Sequence, residues 1–228
     1  MALATKSKAE LRALAYLQYG EDATSNPDFT STAVNTFVQD AVQEFVLRSD
    51  CLVASARCAR PSQTTAGARE SLITLLTGMY SVTRVYHLRR AGANANWRWI
   101  APRTPEELVI RYGAGWMGDS EATSGTASDN HGWYRAGPRR IGFYPPKMSA
   151  TAGTVVLWGH RIPELMTASG GCEVPPEFYP GVVAIACRKM AERDADADTE
   201  RERFKEFESI AESYTQKARG YRPADRED

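Results

Sequence analysis

Two proline pairs set the limits on what this chain can fold into. Residues 139–194 read RRIGFYPPKMSATAGTVVLWGHRIPELMTASGGCEVPPEFYPGVVAIACRKMAERD. Pro145–Pro146 stops a strand, because proline cannot donate to a β-ladder. Pro175–Pro176 followed by Glu177 opens a helix, because proline is tolerated in a first turn and glutamate suits the positive dipole end. The block therefore reads strand, turn, strand, loop, helix. Thr154–His160 is its most apolar strand, and the helix runs from about Glu177 to Asp194. Val182, Ile185, Ala186 and Met190 form the helix's apolar stripe, while Gly181, Ala184 and Ala191 permit close approach. The block holds no nucleophile with a base, no ligand cluster and no phosphate loop. It is a structural signature and points away from catalysis.

Composition narrows the class. At 228 residues the chain is long enough to bury its own core. Hydrophobic residues make up 43% and charged residues 25%, the balance of a soluble globular protein. Formal net charge is zero. Counterion-driven binding wants a basic excess, so a dedicated DNA binder is disfavoured, whereas a wall that DNA slides past tolerates neutrality. No apolar run approaches the roughly 18 residues of a membrane span. In the N-terminal MALATKSKAELRALAYLQYG, charged residues interrupt Ala and Leu, so no signal-peptide core is present and retention in the compartment of synthesis is expected.

The cysteines, Cys51, Cys58, Cys172 and Cys187, form no C-x-x-C pair and are read as reduced; Cys187 is a small core residue on an apolar helix face. His87, His131 and His160 are far apart in strand-like contexts and read as ordinary histidines rather than metal ligands. No cofactor is expected.

Helical periodicity marks both ends of the chain. Lys6 to Tyr19 is a short helix with Leu11, Leu14, Ala15 and Leu17 at near-helical spacing, closed by Gly20. A second helix, capped by Thr30 or Asp28, runs to about Arg48. Its Val34, Phe37, Val38, Ala41, Val42, Phe45 and Val46 face a core. Near the C-terminus, Thr199 and Glu202 make a capping box for a last helix from Glu200 to about Ala218, lined by Phe204, Phe207, Ile210, Ala211 and Tyr214.

Between them the chain changes character. Leu52–Cys58, Ser71–Leu76, Val82–Arg89 and Asn96–Ile100 have strand composition. Thr104, Pro105 and Glu107 form a capping box for a short helix. Gly132–Ala136 and Arg139–Tyr144 form a hairpin across Gly137–Pro138. Gly113–Asn130 is a long loop rich in Gly, Ser, Thr and Asp, a length usually reserved for function or disorder. Its Trp116 and Met117 either dock on a partner or pin the loop to its own domain. No G-x-x-x-x-G-K-[ST] or strand-bound G-x-G-x-x-G accompanies the glycines, so nucleotide binding is not indicated. Tyr221–Asp228 is a charged tail without core residues.

The fold class is therefore α+β: an antiparallel bundle of N- and C-terminal helices with a β-rich insertion between them, forming a small sheet or barrel. The segments are 1–50 (bundle helices), 51–172 (β-rich insertion with one short helix and the long loop), 173–220 (bundle helices) and 221–228 (tail). No linker is long enough to force two domains.

From about Met79 to Lys217 the ordered motifs resemble the head-to-tail connector (adaptor) proteins of tailed bacteriophages. They are the strand VTRVYHL, the helix start Thr104-Pro-Glu-Glu-Leu108, a Gly-rich stretch, HGWYRAGP, IGFYPP, TVVLWGHRIPEL, VPPEFYPGVVAIACRKMAERD and a closing charged helix with Phe and Tyr. The segment Cys51–Leu76 matches no part of that pattern. The resemblance implies a structural virion protein with no catalysis. Such adaptors form a ring of twelve copies under the portal at the neck, extend the DNA channel, and present a platform to the tail or stopper protein. Implied partners are the portal protein, the tail or stopper, further copies of the chain, and genomic DNA passing without sequence-specific binding. No membrane is involved. The expected location is the virion neck, with host cytoplasm during assembly. Trp116 and Met117 in the loop, and Tyr221 and Arg222 in the tail, are the candidate partner contacts.

Two other readings stand beside it. A neck stopper or tail-completion protein shares this character, but stoppers are mostly β and this chain has helices at both termini. A hydrolase would use His131 or His160 with Asp129 or Glu164; no serine or cysteine elbow accompanies them.

Overall fold

Capping decides where the helices begin. In a computed structural model that describes residues 5–20, 26–59, 72–74, 78–88, 97–114, 132–137, 140–144, 154–167, 170–193 and 198–220, α1 spans Lys8–Tyr19. The Ser7 hydroxyl accepts from the Glu10 N–H, and the Glu10 carboxylate accepts from the Ser7 N–H at 2.8 Å, a reciprocal box. Gly20, at φ 131°, ends the helix. Helix α2, Ser31–Ser49, is capped by Thr30. Helix α3, Pro105–Tyr112, carries the Thr104–Glu107 box and stops at Gly113. A 3₁₀ turn at Pro176–Phe178 leads into α4, Tyr179–Arg193. Helix α5, Asp198–Arg219, begins before Thr199. That start lies within a residue or two of the expected one, the usual latitude of a helix end; the Thr199 side chain of the expected Thr199–Glu202 box lies outside what the structure describes.

The chain divides into two compact units, Met1–Leu52 with Ile162–Asp228, and Val53–Arg161. Each has its own core, so no long linker is needed to separate them.

In the first unit α1, α2, α4 and α5 share one core. Leu11 and Ala15 come from α1, Val34, Val38, Val42 and Phe45 from α2, Ile185 and Met190 from α4, and Phe207 and Ala211 from α5, all buried. Helix α4 is more than striped: every residue from Gly181 to Arg188 is buried. A helix apolar on all sides belongs in the middle of a core, and α4 packs on α1, α2 and α5. The Cys187 thiol donates to the Ala15 carbonyl at 3.4 Å, and burial pushes its pKa up to about 12. The N-terminal segment is tied down beside this core, where the Cys172 N–H donates to the Lys6 carbonyl at 2.8 Å and the Lys6 N–H to the Tyr179 hydroxyl at 3.0 Å.

Gly181 sets the closeness of the packing. A Cβ there would lie 2.6 Å from Tyr214 Cβ and 2.8 Å from Phe45 Cε2. Alanine is the better helix former by about 1 kcal/mol, but overpacking costs about 1–3 kcal/mol. Gly181→Ala should therefore destabilise the protein by about 1 kcal/mol net, read from urea unfolding; a stabilised variant would show that the helices have room to part.

The second unit is built from β1 (Val53–Ala59), β2 (Leu72–Thr74), β3 (Arg84–Leu88), β4 (Trp97–Trp99), β5 (Ala101–Pro102), β6 (Gly132–Gly137), β7 (Arg140–Tyr144) and β8 (Thr154–His160). These strands form two sheets, ordered β1–β8–β3–β4 and β2–β7–β6–β5. All pairs are antiparallel except β5 with β6. The expectation of one small sheet or barrel is thus corrected. The reason is visible in β7, where Ile141, Gly142, Phe143 and Tyr144 are all buried, so both faces of its sheet are covered. On one face Trp133, Ile141 and Phe143 pack with Val85, Val155 and Leu157 of the first sheet. On the other, Tyr134 and Tyr144 pack with Leu108 of α3, and the Tyr112 and Tyr144 rings stack at 4.1 Å. The fold class is α+β.

Candidate interaction surfaces

The densest polar constellation among the described residues lies in the helical unit. It is centred on Arg188, a charge that the apolar run YPGVVAIAC carries into the core. Arg188 Nη2 donates to both oxygens of Glu44 on α2, at 2.7 and 2.8 Å. Its Nη1 donates to Glu208 on α5 at 2.6 Å. Arg48 on α2 pairs with the same two carboxylates, at 2.7 Å to Glu44 and 2.8 Å to Glu208. Lys189 Nζ lies 3.0 Å from Glu44, and Arg219 Nε donates to the Arg48 carbonyl at 2.8 Å. The Arg188 guanidinium also sits 5.8 Å from the centre of the Phe204 ring.

The electrostatics follow from this geometry. Burial alone would raise the Glu44 pKa; the Lys189 hydrogen bond and the charges of Arg188, Lys189 and Arg48 outweigh it and hold the carboxyl below its usual range. Glu208 is lowered in the same way, burial being outweighed by hydrogen bonds from Arg48 and Arg188. Burial opposes the charge of Arg188, yet Glu208 and Glu44 raise its pKa. Every one of these shifts favours the ionised form. Such a cluster does not exchange protons near neutrality; it clamps α2, α4 and α5 together. The sequence signal was a charged pair, Arg188–Lys189, interrupting an otherwise buried helix. Its partners are 144 and 20 residues away, which is why periodicity alone did not assemble it.

The surface carries isolated apolar side chains in solvent. Ile110 on α3 is 86% exposed, Leu17 on α1 80%, and Leu165, after β8, 78%. Val109 beside Ile110 and Trp158 on β8 are also exposed. On α3 the inward residue is Leu108, while Val109 and Ile110 face solvent. The four residues singled out as partner contacts, Trp116, Met117, Tyr221 and Arg222, lie outside the described residues.

Of the four hydrolase candidates, only His160 and Glu164 lie among the described residues. Asp129 and His131 lie outside the described residues. The His160 ring stacks on Tyr80 at 6.3 Å, and the Glu164 N–H donates to Glu173. Among the described residues no group of three or more His, Cys, Asp or Glu is placed to hold a metal ion, and no helix is long and apolar enough to cross a membrane. Cys51, Cys172 and Cys187 are buried free thiols. Burial pushes the Cys172 pKa up to about 11, so this thiol is protonated and inert at neutral pH.

Ion pairs clamp three helices of the helical unit, and single apolar side chains reach solvent; neither feature by itself names a function. The family is specific: the chain belongs to the SU10 adaptor protein family, whose model matches residues 7–227. That match runs through both compact units and includes residues 51–76, for which the sequence motifs offered no parallel. It makes the chain a virion component with a structural, head–tail adaptor role in a phage. No curated protein matches the chain.

Proposed function

We propose that this protein forms a ring under the portal at the capsid vertex, extends the DNA channel and gives the tail its platform. The observation that carries this reading is the family match across residues 7–227. The ring is proposed as a dodecamer, with the portal protein on one side, the tail or stopper protein on the other, and genomic DNA passing through without sequence-specific contacts. Contacts through Trp116 and Met117 and through Tyr221 and Arg222 belong to the same proposal.

The test is antibody labelling of purified particles in the electron microscope. Label is expected at the single neck between capsid and tail. Deleting residues 221–228 should leave a folded protein that no longer attaches to the portal. Label absent from particles would remove the adaptor reading; normal attachment of the truncated chain would remove the role of the tail.

A further inference from the structure

The neutrality of this chain is a sum of two large opposite charges. Val53–Arg161 contains fourteen Arg and Lys against six Asp and Glu, a formal charge of +8. The helical unit contains fourteen against twenty-two, a formal charge of −8. The boundary between the two charges is the boundary between the two cores. The ion-pair clamp does not consume the acidic excess. It uses three cations and two carboxylates, so the rest of the helical unit holds eleven cations against twenty acids, or −9.

The basic unit has a particular chemistry. Thirteen of its fourteen cations are arginine, and Trp158 is exposed on it while Trp133 is buried in its core. Arginine is less strongly hydrated than lysine and pairs with carboxylates through a planar fork. Arginine and tryptophan are the residues enriched where proteins meet. Arg111, Arg135, Arg140 and Trp158 are exposed. The acidic unit has its densest stretch at Asp194, Asp196, Asp198, Glu200 and Glu202, five acids in nine residues.

We propose that the β unit of one copy docks by opposite charge on the helical unit of the next copy. This deepens the ring reading and rests on it. A head-to-tail contact of this kind is heterologous, and it closes when the rotation between neighbours closes. Every copy then offers +8 to one neighbour and −8 to the other, and each charge excess is neutralised once. Duplex DNA is the competing occupant of the basic unit, because phosphates also take arginine. It is disfavoured because the acidic unit of the same chain repels it, and the net attraction of a neutral chain vanishes beyond a Debye length of about 10 Å at 0.1 M salt. A second copy satisfies both units at once.

The test is sedimentation velocity on the full chain over a concentration series, at about 20 mM and about 500 mM NaCl, where screening lengths differ several-fold. Self-association is expected at low salt and its loss at high salt. Arg135→Glu with Arg140→Glu takes the β unit from +8 to +4 and should weaken low-salt association roughly tenfold, about 1.4 kcal/mol. Both arginines are exposed, and unchanged circular dichroism and melting will show that the variant folds. A monomer at every concentration in low salt overturns the proposal, as does association indifferent to salt and to the double variant. Tighter low-salt binding to a fluorescent DNA duplex than to itself would replace the second copy by nucleic acid. Each outcome is separable from the neck location, which particle labelling reads independently.

Discussion

Replacing Gly159 by alanine should cost the β unit about 3 kcal/mol or more, at the upper end of what overpacking a core does. Gly159 lies in β8 opposite Ala54 of β1. A Cβ at this position would stand 1.9 Å from the Ser81 carbonyl oxygen and 3.0 Å from Val82 Cα. These are backbone atoms, so no rotamer change relieves the clash. Nor can the segment retreat freely, because it is bonded to the same strand on either side of the glycine. The Tyr80 N–H donates to the His160 carbonyl at 3.1 Å, and the Thr83 N–H to the Trp158 carbonyl at 2.8 Å. Opening room for one methyl group means breaking that pattern. Gly142 is the useful comparison, since a Cβ there meets the Tyr134 ring, a side chain rather than backbone, although a buried one. The check is thermal unfolding followed by circular dichroism. For a unit of this size the loss corresponds to a fall of roughly 10 °C or more. A melting curve within a degree or two of the parent would mean that residues 80–83 do not lie along β8.

Local chemistry made much of the fold legible. Thr104, Pro105 and Glu107 announced α3, and Pro145–Pro146 marked the end of β7, because caps and proline act within a few residues. The Ser7–Glu10 box on α1 has the same S-x-x-E form but was not read from the sequence. What local patterns do not encode is which faces meet. The stripe Val182, Ile185, Ala186 and Met190 suggested an amphipathic α4, whereas Gly181 to Arg188 is buried on all sides because three helices surround it. The two-sheet arrangement depends on pairings such as β3 with β8, far apart in sequence. The Arg188 clamp and the charge segregation were hidden for the same reason. A net charge of zero conveys nothing about its distribution until the boundaries at residues 52 and 161 are known.

Arg188→Met should destabilise the helical unit by about 2–3 kcal/mol at neutral pH. Removing one partner of a buried ion pair costs about 3–5 kcal/mol; the figure here is lower because Arg48 and Lys189 remain on Glu44 and Glu208 and both carboxylates keep some solvent. Methionine preserves volume, so the loss reports charge rather than a cavity. The pH dependence separates this from a packing defect. Glu44 and Glu208 have folded pKa values depressed below 4.5, so their contribution is present above the unfolded value and lost as pH falls through the depressed one. Without Arg188, burial carries more weight and the carboxyls titrate higher, so acid removes less from the variant than from the parent. The gap between the two proteins should therefore be widest near pH 7 and narrow steadily below about pH 4.5. Urea unfolding of both chains across that range is the measurement. An equal loss at every pH would reduce the clamp to packing, and a variant as stable as the parent at pH 7 would mean that Arg48 and Lys189 hold the three helices without Arg188.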